Sequence, residues 1–167
     1  MITNDHAHVG KAYNDPESVR QMEWRYSFLE GWLTDLLNTM QAELDEPTRI
    51  RLMAGCGRGC FLRHAFKLEL AARGKGSLEA LLAALQDNFE AWQAEDGVHI
   101  RYGETSARCY CPVLPERAGT PDEIHCHCTR ATHQAIFEAA LGHPVRVEII
   151  ESLRRNGKTC HFLVEGV

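Results

Sequence analysis

Between residues 16 and 45 the large apolar side chains Val19, Met22, Tyr26, Leu29, Leu33, Leu36, Leu37, Met40 and Leu44 recur at the spacing of one face of an α-helix. Asp15 followed by Pro16 marks its start, because Asp accepts from the free N–H groups of a first turn and proline there gives up no hydrogen bond. Trp24, Phe28 and Trp32 widen the stripe, so the helix either crosses the whole core or presents part of its surface to a second subunit. Gly31 within it marks a close helix crossing or a tolerated weak point. A second helical run restarts at Pro47 and continues through Ile50, Leu52 and Met53 to Leu62, Phe66 and Leu70, interrupted by Gly55, Gly57 and Gly59. Helix glycines cost ~1 kcal/mol each relative to alanine, so close backbone approach is expected at that point. A third helix opens at the N-cap Ser77 and runs through Leu78, Leu81, Leu82, Leu85 and Phe89 to Trp92.

From Gly97 the period falls to two. Val98, Ile100 and Tyr102 alternate with His99 and Arg101, and a second alternating run, Ala107, Cys109 and Cys111, predicts their hairpin partner. A proline-containing loop from Pro112 to Pro121 leads to a helix from Thr129 through Ile136, Phe137 and Leu141, stopped by Gly142 and Pro144. Val145, Val147 and Ile149, then Asn156-Gly157, then Cys160, Phe162 and Val164 predict a second hairpin. The expected fold is α+β: three N-terminal helices, then a ββαββ antiparallel sheet covered by helices. Residues 1–14 are expected to be a flexible N-terminus and 15–167 a single domain, helical over 15–94 and sheet-containing over 97–165.

With 167 residues, 44% hydrophobic and 25% charged, the chain can close one core without disulfide staples. No stretch approaches the ~18 apolar residues of a membrane-spanning helix. A net charge of -5 leaves no overall nucleic-acid footprint, so neither nucleic acid nor membrane is an expected partner. The first residues, with His6 and His8 in a polar stretch, carry neither the basic nor the apolar region of an export signal, and a cytoplasmic location is expected. In that reducing compartment seven cysteines, an odd number, read as metal ligands, redox thiols or nucleophiles before disulfides.

Six of them fall in pairs. Cys56 and Cys60 lie one helical turn apart, Cys109 and Cys111 two apart on a predicted strand, and Cys126 and Cys128 two apart just before a helix N-terminus, where the dipole favours a thiolate. Each pair can point both sulfurs one way, which makes the six the expected metal ligands, for zinc or, alternatively, an Fe–S cluster. Three other uses stay open: a thiolate nucleophile with His125 or His127 as general base, a redox disulfide, and small apolar side chains filling a core. Residues 49–75 hold seven basic side chains against Glu69 alone, and Arg58, fixed between glycines, is the expected contact for an anionic ligand. Cys160 reads as core, and His64, His133 and His143 as packed or solvated.

The stretch Ala135–Glu148, with Leu141-Gly142-His143-Pro144-Val145 and Val147-Glu148, then Glu151-Ser152-Leu153, Gly157 and Cys160-His161-Phe162, resembles the 4-vinyl reductase domain superfamily. The resemblance is to its cysteine-rich branch, near L-2-amino-thiazoline-4-carboxylic acid hydrolase-like proteins. It covers about residues 107–165, with Cys111-Pro112 as a further match, and departs from the family where Lys158 follows Gly157 in place of the usual Asp. It implies a ligand-binding α+β domain, frequently dimeric, with its pocket between sheet and helices. The expected function is a small-molecule-binding domain with a cysteine-rich metal site beside a pocket for an anionic organic ligand, acting as a homodimer. The alternatives are a hydrolase of a small heterocyclic or amide-like substrate, using a thiolate or a metal-bound water, and an interaction domain without metal.

Overall fold

A computed structural model describes residues 16–106, 109 and 123–167. Helices come first and an antiparallel sheet follows, as the α+β pattern predicts. The helices are α1 (Pro16–Glu43), α2 (Glu46–Arg63), α3 (Ala65–Arg73) and α4 (Leu78–Gln86). After them come β1 (Glu90–Ala94), β2 (Gly97–Arg101), α5 (Cys126–Leu141), β3 (Arg146–Glu151) and β4 (His161–Glu165). Single 3-10 turns stand at Glu123–His125 and Leu153–Arg155. None of the described helices is long and apolar enough to cross a membrane.

Capping explains where the helices begin. Asp45 accepts from the Thr48 N–H at 2.9 Å to start α2, and Ser77 accepts from the Ala80 N–H at 3.2 Å to start α4. The glycines leave α2 continuous. The chain breaks instead at His64, which is extended and hands over directly to α3, so four helices precede the sheet where three were expected. Of the three glycines Gly57 carries the packing: a Cβ there would lie 2.2 Å from the Cys128 carbonyl oxygen and 2.8 Å from Ala131 Cβ. Thr132 fastens the same crossing, its hydroxyl 3.1 Å from both the Gly57 and Cys128 carbonyls.

The sheet runs β1-β2-β4-β3, every pair antiparallel. Its first hairpin differs from the expected one. The third helix ends at Gln86 rather than Trp92, and Glu90–Ala94 is a strand pairing β2, with Ala94 opposite Gly97. Ala91 points into the core and Trp92 to the other face, an alternation that the preceding leucine-rich run had masked. Gly97 is required there: its φ is +140°, and a Cβ would sit 2.3 Å from the Val164 carbonyl oxygen. Of the run expected to pair with β2, Cys109 is described and is not in a strand, while Ala107 and Cys111 lie outside the described residues, as do residues 1–14 with His6 and His8. The second hairpin forms as expected, although Asn156, at φ 64°, closes a 3-10 turn instead of a two-residue loop.

One face of the sheet packs Val98, Ile100, Phe162, Val164 and Val147 against α3, α4 and α5, around Phe137, Ile136, Leu81 and Leu85. A second, small cluster of Leu37, Met53 and Ile124 joins α1 to α2. On the opposite sheet face Trp92 stacks on His99 with ring centroids 5.0 Å apart, and His99 bridges Asp96 and His161, each 2.9 Å away.

Candidate functional site

A cleft of about 360 Å³ opens between α5 and β3, within the range of small-molecule pockets. Helical spacing creates its polar wall: His127, Arg130 and Gln134 stand at i, i+3 and i+7 of α5 and so share one face. Val147 and Ile149 of β3 supply an apolar wall, and Arg146 and Arg155 complete a basic rim. Among the described residues the lining has one carboxylate, Glu148, which is already paired with Arg146; Arg146 also reaches Glu165 at 3.5 Å.

Arg130 gives the cleft its character. Its Nε is buried without a hydrogen-bond partner, and no ion pair meets its guanidinium among the described residues. Burial pulls its pKa below the ordinary arginine value, yet a guanidinium remains charged at neutral pH. A half-buried cation with no counter-charge among the described residues, facing a cavity, is arranged to receive an anion.

The cysteines separate into different places. Because α5 begins at Cys126 and not at Thr129, Cys126 and Cys128 lie two residues apart on a helix, about 200° around its axis. Cys126 faces the sheet, with its Sγ 3.1 Å from the Ser152 hydroxyl, whereas Cys128 packs beside the Leu37, Met53 and Ile124 cluster. The two therefore cannot share a face, as strand-like spacing had implied. Cys56 is exposed on α2, and Cys60 is half-buried with the Lys67 ammonium 2.8 Å from its sulfur. Cys111 lies outside the described residues.

What the fold does gather is Cys109, Cys126 and Cys160, all buried and close enough that each would feel the others' charge. Burial pushes the Cys126 thiol up to about 11, against the smaller pull of the Ser152 hydrogen bond, and also raises Cys160. A helix N-terminus favours a thiolate, but desolvation dominates here and keeps Cys126 neutral at neutral pH. As placed, no three His, Cys, Asp or Glu side chains among the described residues stand at metal-binding spacing.

The two expected bases fare differently. His127 lines the cleft. His125 does not; both its ring nitrogens are buried without a hydrogen-bond partner among the described residues, and burial, aided by the Arg154 charge, pushes its pKa down to about 4. Arg58 is exposed on α2 and takes no part in the cleft.

A model for a family of unknown function, DUF6144, matches residues 20–165. The chain belongs to that family. No curated protein and no solved structure matches it. In this DUF6144 member the sequence signal for the cleft is the row His127, Arg130 and Gln134, polar positions on one face of a helix that has no acidic side chain before Glu138. Arg130 is overshadowed in the sequence by the denser basic run at 49–75, which pointed to Arg58. Cys160, just before β4, has no partner in sequence to mark it as one of a group.

Proposed function

We propose that this DUF6144 chain is a small-molecule-binding domain that holds an organic anion in the cleft between α5 and β3. The observation that carries this reading is Arg130, a half-buried guanidinium without a counter-charge among the described residues, on the wall of a cavity of ligand size. Arg130 receives the carboxylate or another planar anionic group, His127 and Gln134 add hydrogen bonds from the same helix face, and Val147 and Ile149 cover the apolar part of the ligand. The resemblance to 4-vinyl reductase-like domains, with a pocket between sheet and helices, supports the same location.

Binding is favoured over hydrolysis by what the lining contains. Among the described residues the lining includes no cysteine, serine or threonine to act as a nucleophile. The hydrolase alternative keeps His127 as its one base in the cleft, and turnover of a small cyclic amide that disappears in His127→Ala would replace binding with catalysis.

The test of binding is calorimetric titration with benzoate and succinate, using benzamide and succinamide as uncharged controls. The acids bind and the amides do not, and Arg130→Gln weakens the acids by roughly 10–100-fold, the value of a charge-assisted hydrogen bond of about 1.5–3 kcal/mol. Equal binding of acid and amide, or an unchanged affinity in Arg130→Gln, would remove the proposal.

A metal forms the second part of the reading, in narrower form than the spacing of six cysteines predicted. Cys109, Cys126 and Cys160, buried and drawn from separate segments, would supply three of the four ligands of zinc or an Fe–S cluster. A bound zinc would hold their sulfurs as thiolates and fasten residue 109 to α5 and to the segment that leads into β4. Elemental analysis of anaerobically purified protein decides it: about one equivalent of zinc retained in Cys56→Ser/Cys60→Ser and lost in Cys126→Ser/Cys160→Ser supports the assignment, and the reverse pattern or no metal overturns it.

A further inference from the structure

Helix α1 carries two apolar stripes, and the monomer uses one. Leu33, Leu37 and Met40 meet the rest of the chain through the small cluster with Met53 and Ile124. On another side of the same helix Trp24, Phe28 and Trp32 stand at i, i+4 and i+8, 65%, 58% and 57% exposed, with Trp24 and Phe28 stacked at 5.6 Å and Leu29 and Leu36 exposed beside them. With aromatic side chains able to bury ~150–250 Å² each, this row presents on the order of 600 Å², above most monomer patches and near the roughly 800 Å² per partner of a stable interface.

The charges on α1 choose the occupant. The helix has five acidic side chains, Glu17, Glu23, Glu30, Asp35 and Glu43, against Arg20 and Arg25. A surface helix that seats on an anionic membrane carries the opposite balance. Residues 1–15, with four large apolar side chains in Met1, Ile2, Val9 and Tyr13, hold too few to cover the row. The row is, however, matched to itself. A two-fold axis near residue 30 brings Phe28 of each copy to Trp32 of the other and Trp24 to Leu36.

We propose that α1 is the dimer interface of this protein, packed antiparallel against α1 of a second copy through Trp24, Phe28, Trp32 and Leu36. Gly31, whose missing Cβ meets nothing within 4 Å in the monomer, leaves the middle of the crossing open. The cleft lies on other elements, so this interface stands or falls independently of the ligand reading.

Sedimentation equilibrium of the full chain at micromolar concentration tests it. Wild type is a dimer. Phe28→Glu/Trp32→Glu is a monomer with an unchanged far-ultraviolet spectrum, while Leu62→Glu, which removes an equally exposed apolar side chain on α2, stays dimeric. A monomeric wild type or a dimer indifferent to the Phe28→Glu/Trp32→Glu change overturns the proposal. So does a monomer whose Phe28 and Trp32 are needed to bind phosphatidylcholine/phosphatidylserine vesicles.

Discussion

The hydrophobic interior is built to different depths in two regions. Toward the sheet, Phe137, Ile136 and Ala140 join a continuous core that includes Phe162, Leu81, Leu85, Val98 and Ile100. Toward α1 the contact narrows to Leu37, Met53 and Ile124, and the first half of a 28-residue helix leaves its aromatic side chains in solvent. Both regions show the same helical spacing of apolar residues in sequence. Periodicity therefore says that a helix has a face to cover, and burial alone says whether the chain covers it.

Acid is expected to attack the deep side first and most strongly. His133 is fully buried in it, sharing a hydrogen bond with the Tyr102 hydroxyl at 2.9 Å, and burial, with the Lys67 charge, pushes its pKa down to about 3. His125, down to about 4, adds to it. Both folded-state values lie below the unfolded value of 6.5, so the unfolded chain binds more protons in acid. The contribution is complete above pH 6.5 and is lost as pH falls toward about 4 and then about 3. Each tenfold difference in proton affinity is worth about 1.4 kcal/mol, so His133 alone accounts for roughly 3 kcal/mol by pH 4. Urea midpoints followed from neutral pH downward should fall steeply in wild type and about half as steeply in His133→Gln. Equal slopes would show that His133 does not resist charging.

Truncation separates the two regions next. Phe137→Ala removes the centre of the deep cluster and should cost about 3–5 kcal/mol, lowering Tm by ~10 °C or more. Leu37→Ala should cost no more than about 2 kcal/mol, the low end for a buried leucine, because its cluster has few neighbours to lose. Hydrogen exchange should then show α1 opening without the sheet. Equal losses, or loss of protection throughout in Leu37→Ala, would mean that one cooperative core spans both sides.

The depth difference also explains what could be read from the sequence. The order of helices and strands, the second hairpin and the core residues Leu81, Leu85, Ile136, Phe137 and Phe162 follow from spacing, because each repeats over several turns or strand positions. Short segments did not repeat long enough. Ala91 and Trp92 extend a leucine-rich helical pattern as readily as they alternate in β1, and the break at His64 carries no glycine or proline. The cysteine site turned on a shift of three residues in a helix start: two apart on a strand means one face, two apart on a helix means nearly opposite ones. Cys160 lies near Cys109 and Cys126, and Arg130 on the wall of the cleft, through packing of segments distant in the chain.

The smallest expected effects come from two glycines of identical local propensity. Gly57 lies where α2 meets α5, and alanine there drives a Cβ to 2.2 Å from a backbone carbonyl, which no side-chain rotation can relieve. Gly57→Ala should therefore cost about 1–3 kcal/mol as α2 moves off α5. Gly31 lies on α1, where the same methyl meets nothing within 4 Å, and Gly31→Ala should raise stability by about 0.5–1 kcal/mol through helix propensity alone. The gain must be measured in the monomeric Phe28→Glu/Trp32→Glu background, because in a dimer the methyl would stand near the helix crossing. If Gly31→Ala stabilises that monomer and not the wild type, the open space beside Gly31 is filled by the second copy. If it stabilises both equally, α1 has solvent there in either state, and the crossing lies farther from Gly31 than the two-fold near residue 30 places it.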